Sequence, residues 1–271
     1  MFRLFENMVD PYVAYTEVDT PPRRLWPFLW GFSKPFRKVF LATAIMSVIV
    51  AVVEIWLISY MGRVVDMLSG ATEYLMPNSI LVGISWQTDL EADEDHHSRF
   101  RDYTMLESGN PDTQAQYQPG QASSHLSFIR DDVIPFVEGN YRAKGGERAY
   151  FGYSLGGAFG AYALFAEPET FSHYILGSPA MGQRTLDYLD QLKTEKDSDQ
   201  QNLNVNVFVS IGELEERRME TTREFASILE RRSDVGLALT GLEIIKGSDH
   251  GTAFPETAIR GIRWLSQLSG E

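Results

Sequence analysis

Residues 148–161 read Arg-Ala-Tyr-Phe-Gly-Tyr-Ser-Leu-Gly-Gly-Ala-Phe-Gly-Ala, and the fold is decided there. A short β-prone run, Arg148–Gly152, enters a G-x-S-x-G pattern at Gly152–Gly156. Small residues then continue through Ala161. This predicts a strand, a tight turn carrying Ser154, and a helix over Leu155–Ala166. The reason is steric. A serine in such a turn sits in strained backbone, and small neighbours let strand and helix approach. The hydroxyl then stands at a helix N-terminus, where backbone N–H groups and the dipole favour a developing oxyanion. Leu155 is the expected donor of one such N–H. Tyr153, on the other side of the serine, is a candidate binding residue.

Outward from this turn the pattern is that of a parallel α/β sheet, with short β-rich runs alternating with amphipathic stretches. Strands are expected at Ser79–Trp86, His173–Gly177, Leu203–Ile211 and Leu237–Ile245. Helices are expected at His125–Tyr141, Thr221–Arg232 and Ala253–Leu268. The polar stretch Asp89–Gln121 reads as a surface excursion.

A serine hydroxyl needs a neighbouring base to attack at neutral pH. In α/β-hydrolases the order along the chain is Ser, acid, His. Only His173 and His250 follow Ser154. His173 opens a strand and reads as structural. His250 lies in Gly247–Gly251, between the last strand and the last helix, where a base can reach the turn. The acid is expected in the loop after 203–211, where Glu213, Glu215 and Glu216 compete. Glu213 is close to the strand end and Glu216 suits a helix start, so Glu215 is preferred. Asp249 adjoins the base and is expected to point away from it. His96 and His97 sit in an acidic loop without ligand spacing, so no metal is expected. No cofactor is implied either.

The chain has 271 residues and a formal charge of −13. Residues 1–76 are balanced, so the acidic surplus lies beyond them. Such a surface repels phosphate backbones and argues against nucleic acid. There is no cysteine. Val39–Met61 is almost unbrokenly apolar, with Glu54 its one ionisable residue, and this length predicts a transmembrane helix. Arg23, Arg24, Lys34, Arg37 and Lys38 precede it, which predicts a cytoplasmic N-terminus and the remainder outside, the alternative being a cytoplasmic protein. The pieces LFENMVDPY, PPRRLWPFLW and PFRKVFLATAIMSVIVAVVEIWLISYMGRVVDMLSG resemble the start of a bacterial ABC exporter. That resemblance implies an elbow and first membrane helix over residues 1–76. No GxxxxGK[ST] phosphate loop occurs, so ATP is not expected.

Residues 77–271 resemble the esterase family that includes enterobactin-type siderophore esterases, S-formylglutathione hydrolases and mycolyltransferases. The matching pieces are ILVGISW, RDYT, FIRDDVIPFVEGNYR, RAYFGYSLGGAFGAYALF, FSHYILGSPA, VFVSIGELEE and GSDHG. The resemblance implies a partial α/β-hydrolase fold and hydrolysis of a small-molecule carboxylic ester by Ser154, His250 and Glu215. It departs in two ways. Ser178–Gly182 carries none of the aromatic residues common there in siderophore esterases, which argues against a siderophore substrate. The strands that precede ILVGISW in the family, with the loop supplying a second oxyanion N–H, have no counterpart. A second reading follows: an exporter-derived membrane segment fused to a truncated, inactive esterase.

Overall fold

A computed structural model describes residues 25–26, 30, 33, 36–84, 95–196, 203–233 and 236–269. The chain divides into two compact units, Met1–Asp66 and Met67–Glu271.

In the first unit the described residues are chiefly the start of a long helix, α1 (Arg37–Leu75). Phe40, Leu41, Ile45, Met46, Val48 and Val52 on it are exposed. Among the described residues no helix is long and apolar enough to cross a membrane. The span expected at 39–61 is corrected accordingly. Arg37 and Lys38 bound the apolar run and Glu54 divides it, leaving fifteen uncharged residues, 39–53. About 20 are needed for a span. The outward location of residues 77–271 rested on that helix and loses its basis with it.

The second unit is built on a four-stranded parallel sheet: β1 (Ala149–Tyr153), β2 (His173–Gly177), β3 (Val205–Gly212) and β4 (Leu237–Ile245). The strands lie side by side in chain order. Before them come α2 (Asp95–Tyr103), α3 (Pro111–Tyr117), α4 (Ala122–Phe128) and α5 (Ile134–Asn140). A π turn at Ile129–Val133 joins the last two. Three crossover helices link the strands: α6 (Leu155–Ala166), α7 (Gln183–Lys196) and α8 (Glu216–Glu230). The C-terminal helix is α9 (Ala253–Ser269).

Strand periodicity of two explains the two-faced core. Tyr174, Leu176, Val207 and Val209 face one side and pack with Phe159, Leu164, Leu186, Phe225 and Leu229 of the crossover helices. Ile175 and Phe208 face the other side and meet Trp264 and Leu265 of α9, with Met76 against them. Crossovers of one hand, stepping in one direction, place α6, α7 and α8 on a single face. The sheet is therefore covered on both faces, as parallel sheets require.

Two expectations fail. Described residues 79–84 of the expected strand Ser79–Trp86 form no strand, and Ile80, Leu81 and Val82 are exposed. They line a groove of about 650 Å³ with Phe128, Phe136 and Tyr141. Among the described residues β1 thus has no partner along its outer edge. The stretch 89–121 is also not merely an excursion. It contains α2 and α3, and Asn110 caps the latter through its side chain on Asp112 and Thr113 N–H groups. The buried Ser98 lies on α2.

Candidate active site

Parallel strands deliver their C-terminal ends to one side of the sheet, and three loops converge there. The first is the turn between β1 and α6. Ser154 adopts φ 57° and ψ −116°, a conformation costly for any residue with a side chain. Its N–H donates to Gly177 O (2.9 Å), and its carbonyl accepts from Ala180 N–H (2.9 Å). The strained turn is thereby tied to the end of β2. Leu155 is the first residue of α6, where N–H groups lack an intrahelical acceptor.

The flanking glycines differ in what they do. A Cβ on Gly152 would lie 2.3 Å from Gly156 O, a backbone atom that cannot swing aside. A Cβ on Gly156 would meet nothing nearer than Tyr150 Oη at 3.7 Å. Gly152→Ala is therefore expected to destabilise by about 1–3 kcal/mol or more. Gly156→Ala, in the first turn of α6, should be neutral or slightly stabilising. Urea unfolding of the two variants checks the contrast, and equal losses would refute the steric account.

The second loop follows β3 and the third follows β4. His250 Nε2 lies 3.0 Å from Ser154 Oγ. His250 Nδ1 lies 2.7 Å from Glu215 Oε2. Glu215 is 7% exposed, and its other oxygen accepts from Ser178 Oγ (2.6 Å) and Gly212 N–H (3.0 Å). Burial pushes its carboxyl pKa up. The hydrogen bonds from Ser178, Gly212, His250 and Arg218 outweigh that and hold it below the usual carboxylate range. Ser178 is itself buried with φ 38°, so strained backbone holds the side chain that fixes Glu215.

The rival acids are engaged elsewhere. Glu213 is exposed and accepts from Gly247 N–H (2.8 Å). Glu216 is exposed at the start of α8. Asp249 Oδ1 accepts from Gly251 N–H, Thr252 N–H and Thr252 Oγ1, which shapes the loop carrying His250. Of the other histidines, His173 opens β2 beside Asn206 and Trp264, and His125 packs among Tyr103 and Phe159. Among the described residues no group of three or more His, Asp or Glu could hold a metal ion.

Tyr153, the expected binding residue, lies at the end of β1 beside His250. Its hydroxyl donates to His250 O (2.6 Å), and its ring lies against the imidazole, 5.1 Å between centroids. Burial pushes its pKa up to about 12, so it stays a donor. It ties the strand bearing the serine to the loop bearing the histidine. Neither Ser178 nor Arg218 is marked as a site residue by any motif in the sequence. Arg218 stands one helical turn after Glu215, with Nη1 at 3.1 Å from Glu215 Oε2 and 2.6 Å from His250 Nδ1.

The Esterase family model matches residues 73–243, more than half of the chain. The chain belongs to the Esterase family. Ferri-bacillibactin esterase BesA of Bacillus subtilis (strain 168) is 28% identical over 207 residues, covering 71% of this chain and 68% of that enzyme. The siderophore enterobactin esterase of Emericella nidulans is 40% identical over 75 residues, 27% of this chain and 24% of that one. Among solved structures, siderophore hydrolase EstA of Aspergillus nidulans matches with TM-score 0.57 at 22% identity, covering 76% of this chain and 80% of that one. The BES protein of Bacillus cereus matches with TM-score 0.56 at 23% identity, covering 65% and 66%. These two likenesses show the α/β fold. The Esterase family chain thus spans about two thirds of the length of the first relative. Membership supports ester hydrolysis. Nothing in these comparisons supports an exporter origin for residues 1–74.

Proposed function

We propose that this member of the Esterase family hydrolyses carboxylic esters through an acyl-enzyme on Ser154, with His250 as base and Glu215 as acid. The observation that carries this reading is the unbroken row from Ser154 Oγ through the imidazole to Glu215 Oε2, at 3.0 and 2.7 Å. His250 Nε2 takes the Ser154 proton as Oγ attacks the ester carbon. The same proton then passes to the departing alkoxide. Water repeats the sequence on the acyl-enzyme: His250 removes its proton, hydroxide adds, and Oγ leaves reprotonated. Leu155 N–H faces the charge that develops on the carbonyl oxygen. In the reactive tautomer Glu215 accepts the proton carried on Nδ1, and it stabilises the imidazolium that forms.

A small acyl ester is the substrate class this simple site supports. A siderophore ester is the second reading, favoured by the 28% identity to ferri-bacillibactin esterase over 207 residues. It opposes the inference from Ser178–Gly182, which lacks aromatic residues.

The test is covalent. A fluorophosphonate probe should label the purified chain, and Ser154→Ala should remove the label. Labelling that survives Ser154→Ala overturns the nucleophile assignment. A wild-type chain that neither labels nor turns over p-nitrophenyl acetate would instead favour the inactive, truncated reading. Losing one oxyanion donor costs about 10²–10³ in rate, so slow turnover is compatible with the proposal but none is not.

A further inference from the structure

We propose that Arg218 makes the site selective for esters that carry a carboxylate, by holding His250 in the wrong tautomer until an anionic substrate group draws the guanidinium away. The inference rests on the catalytic reading above and adds the substrate class.

The argument begins with a donor conflict. A guanidinium has donors only. Arg218 Nη1 lies 2.6 Å from His250 Nδ1, and it can bond there only to a lone pair. Glu215 Oε2 lies 2.7 Å from the same nitrogen and can bond there only to a proton. One imidazole nitrogen cannot satisfy both, so two networks exclude each other. In the first, Nδ1–H donates to Glu215 and the Nε2 lone pair accepts from Ser154 Oγ–H. This imidazole is a base. In the second, Arg218 donates to Nδ1, and the proton sits on Nε2, pointing at Ser154 Oγ. This imidazole cannot accept the serine proton. Passing between them moves one proton from Nε2 to Nδ1 through solvent, with no net gain or loss.

Arg218 is free to leave. Its side chain is 37% exposed, whereas that of Glu215 is 4% exposed. The His250 side chain beside it is 36% exposed, so the guanidinium stands at the open side of the site. Its grip on Glu215 is a single bond of 3.1 Å to Oε2. The fork that would make it bidentate is denied, because Oε1 already serves Ser178 Oγ and Gly212 N–H. A substrate carboxylate in solvent offers both oxygens and matches the guanidinium plane. Glu215 keeps three donors when Arg218 departs, so the acid stays in place for His250. Moving the guanidinium off also removes a like charge from the imidazolium that forms during attack.

The experiment uses the full chain and two esters of one leaving group: neutral p-nitrophenyl acetate and the half-ester p-nitrophenyl succinate. Wild type should prefer the succinate. In Arg218→Ala, kcat on the acetate should rise, because the competing donor is gone. In the same variant kcat/KM on the succinate should fall by about 10- to 100-fold, the worth of a charge-assisted hydrogen bond. Arg218→Lys, which keeps the charge but not the fork, should fall between. Changes of equal size and sign on both esters would overturn the proposal and leave Arg218 a structural residue. So would a wild type that does not prefer the succinate. Acetate hydrolysis that survives Ser154→Ala would instead overturn the catalytic reading itself, and the two failures are thereby told apart.

Discussion

Ser154→Ala is expected to lower kcat on p-nitrophenyl acetate by about 10⁶, and His250→Ala by a similar factor, where the wild-type rate gives that range. The size follows from what each residue does. Without Oγ there is no acyl-enzyme, and without the imidazole the hydroxyl keeps its proton at neutral pH. The sharper expectation concerns the double variant. Ser154 Oγ and His250 Nε2 are 3.0 Å apart and act on one proton, so removing both should cost no more than removing either. Residual catalysis of about 10³–10⁴ over water should persist in all three, from binding and oxyanion stabilisation. Losses that multiply in the double variant would mean that the two side chains act independently. His250 would then not be the base for Ser154.

Much of this arrangement is legible in residues 148–161 and in two later loops. The turn is local: Gly152, Ser154 and the small residues after it define a steric problem with one solution. Strands β2 and β4 occupy the expected ranges, His173–Gly177 and Leu237–Ile245, because their apolar runs are bounded by turn residues. The illegible parts depend on contacts between distant residues. Ser178 meets Glu215 across 37 positions and Arg218 meets His250 across 32, and no periodicity encodes either meeting. The one available hint is that Arg218 follows Glu215 by one helical turn, the spacing at which opposite charges meet. The strand expected at Ser79–Trp86 fails for a related reason. Strand propensity is a preference for a pleated, half-buried surface, and described residues 79–84 pair with no strand. The transmembrane expectation gave the length of an apolar run more weight than the charge that divides it.

The second large effect is expected at the acid. Glu215→Gln should lower kcat by about 10⁴, the cost of losing a carboxylate that fixes the histidine tautomer. An amide is nearly isosteric, but it can present an N–H to Nδ1 and so favour the tautomer with the proton on Nε2. Ser178 Oγ and Gly212 N–H would still hold its carbonyl oxygen, so the fold should survive and the loss should appear in kcat rather than in protein yield. Glu213→Gln removes a charge but keeps an oxygen that accepts from the exposed Gly247 N–H, and Glu216→Gln removes an acid at the start of α8. Each is worth about 0.3–1 kcal/mol of helix-end or surface electrostatics, and neither touches the imidazole. Steady-state kinetics on p-nitrophenyl acetate, with thermal melts alongside, decides among the three. A dominant loss at Glu213 or Glu216 would move the acid and leave Ser154 and His250 standing. Equal small losses in all three would make a Ser154–His250 pair the better description. The buried carboxylate would then serve chiefly to hold Ser178, Gly212 and Arg218 in place.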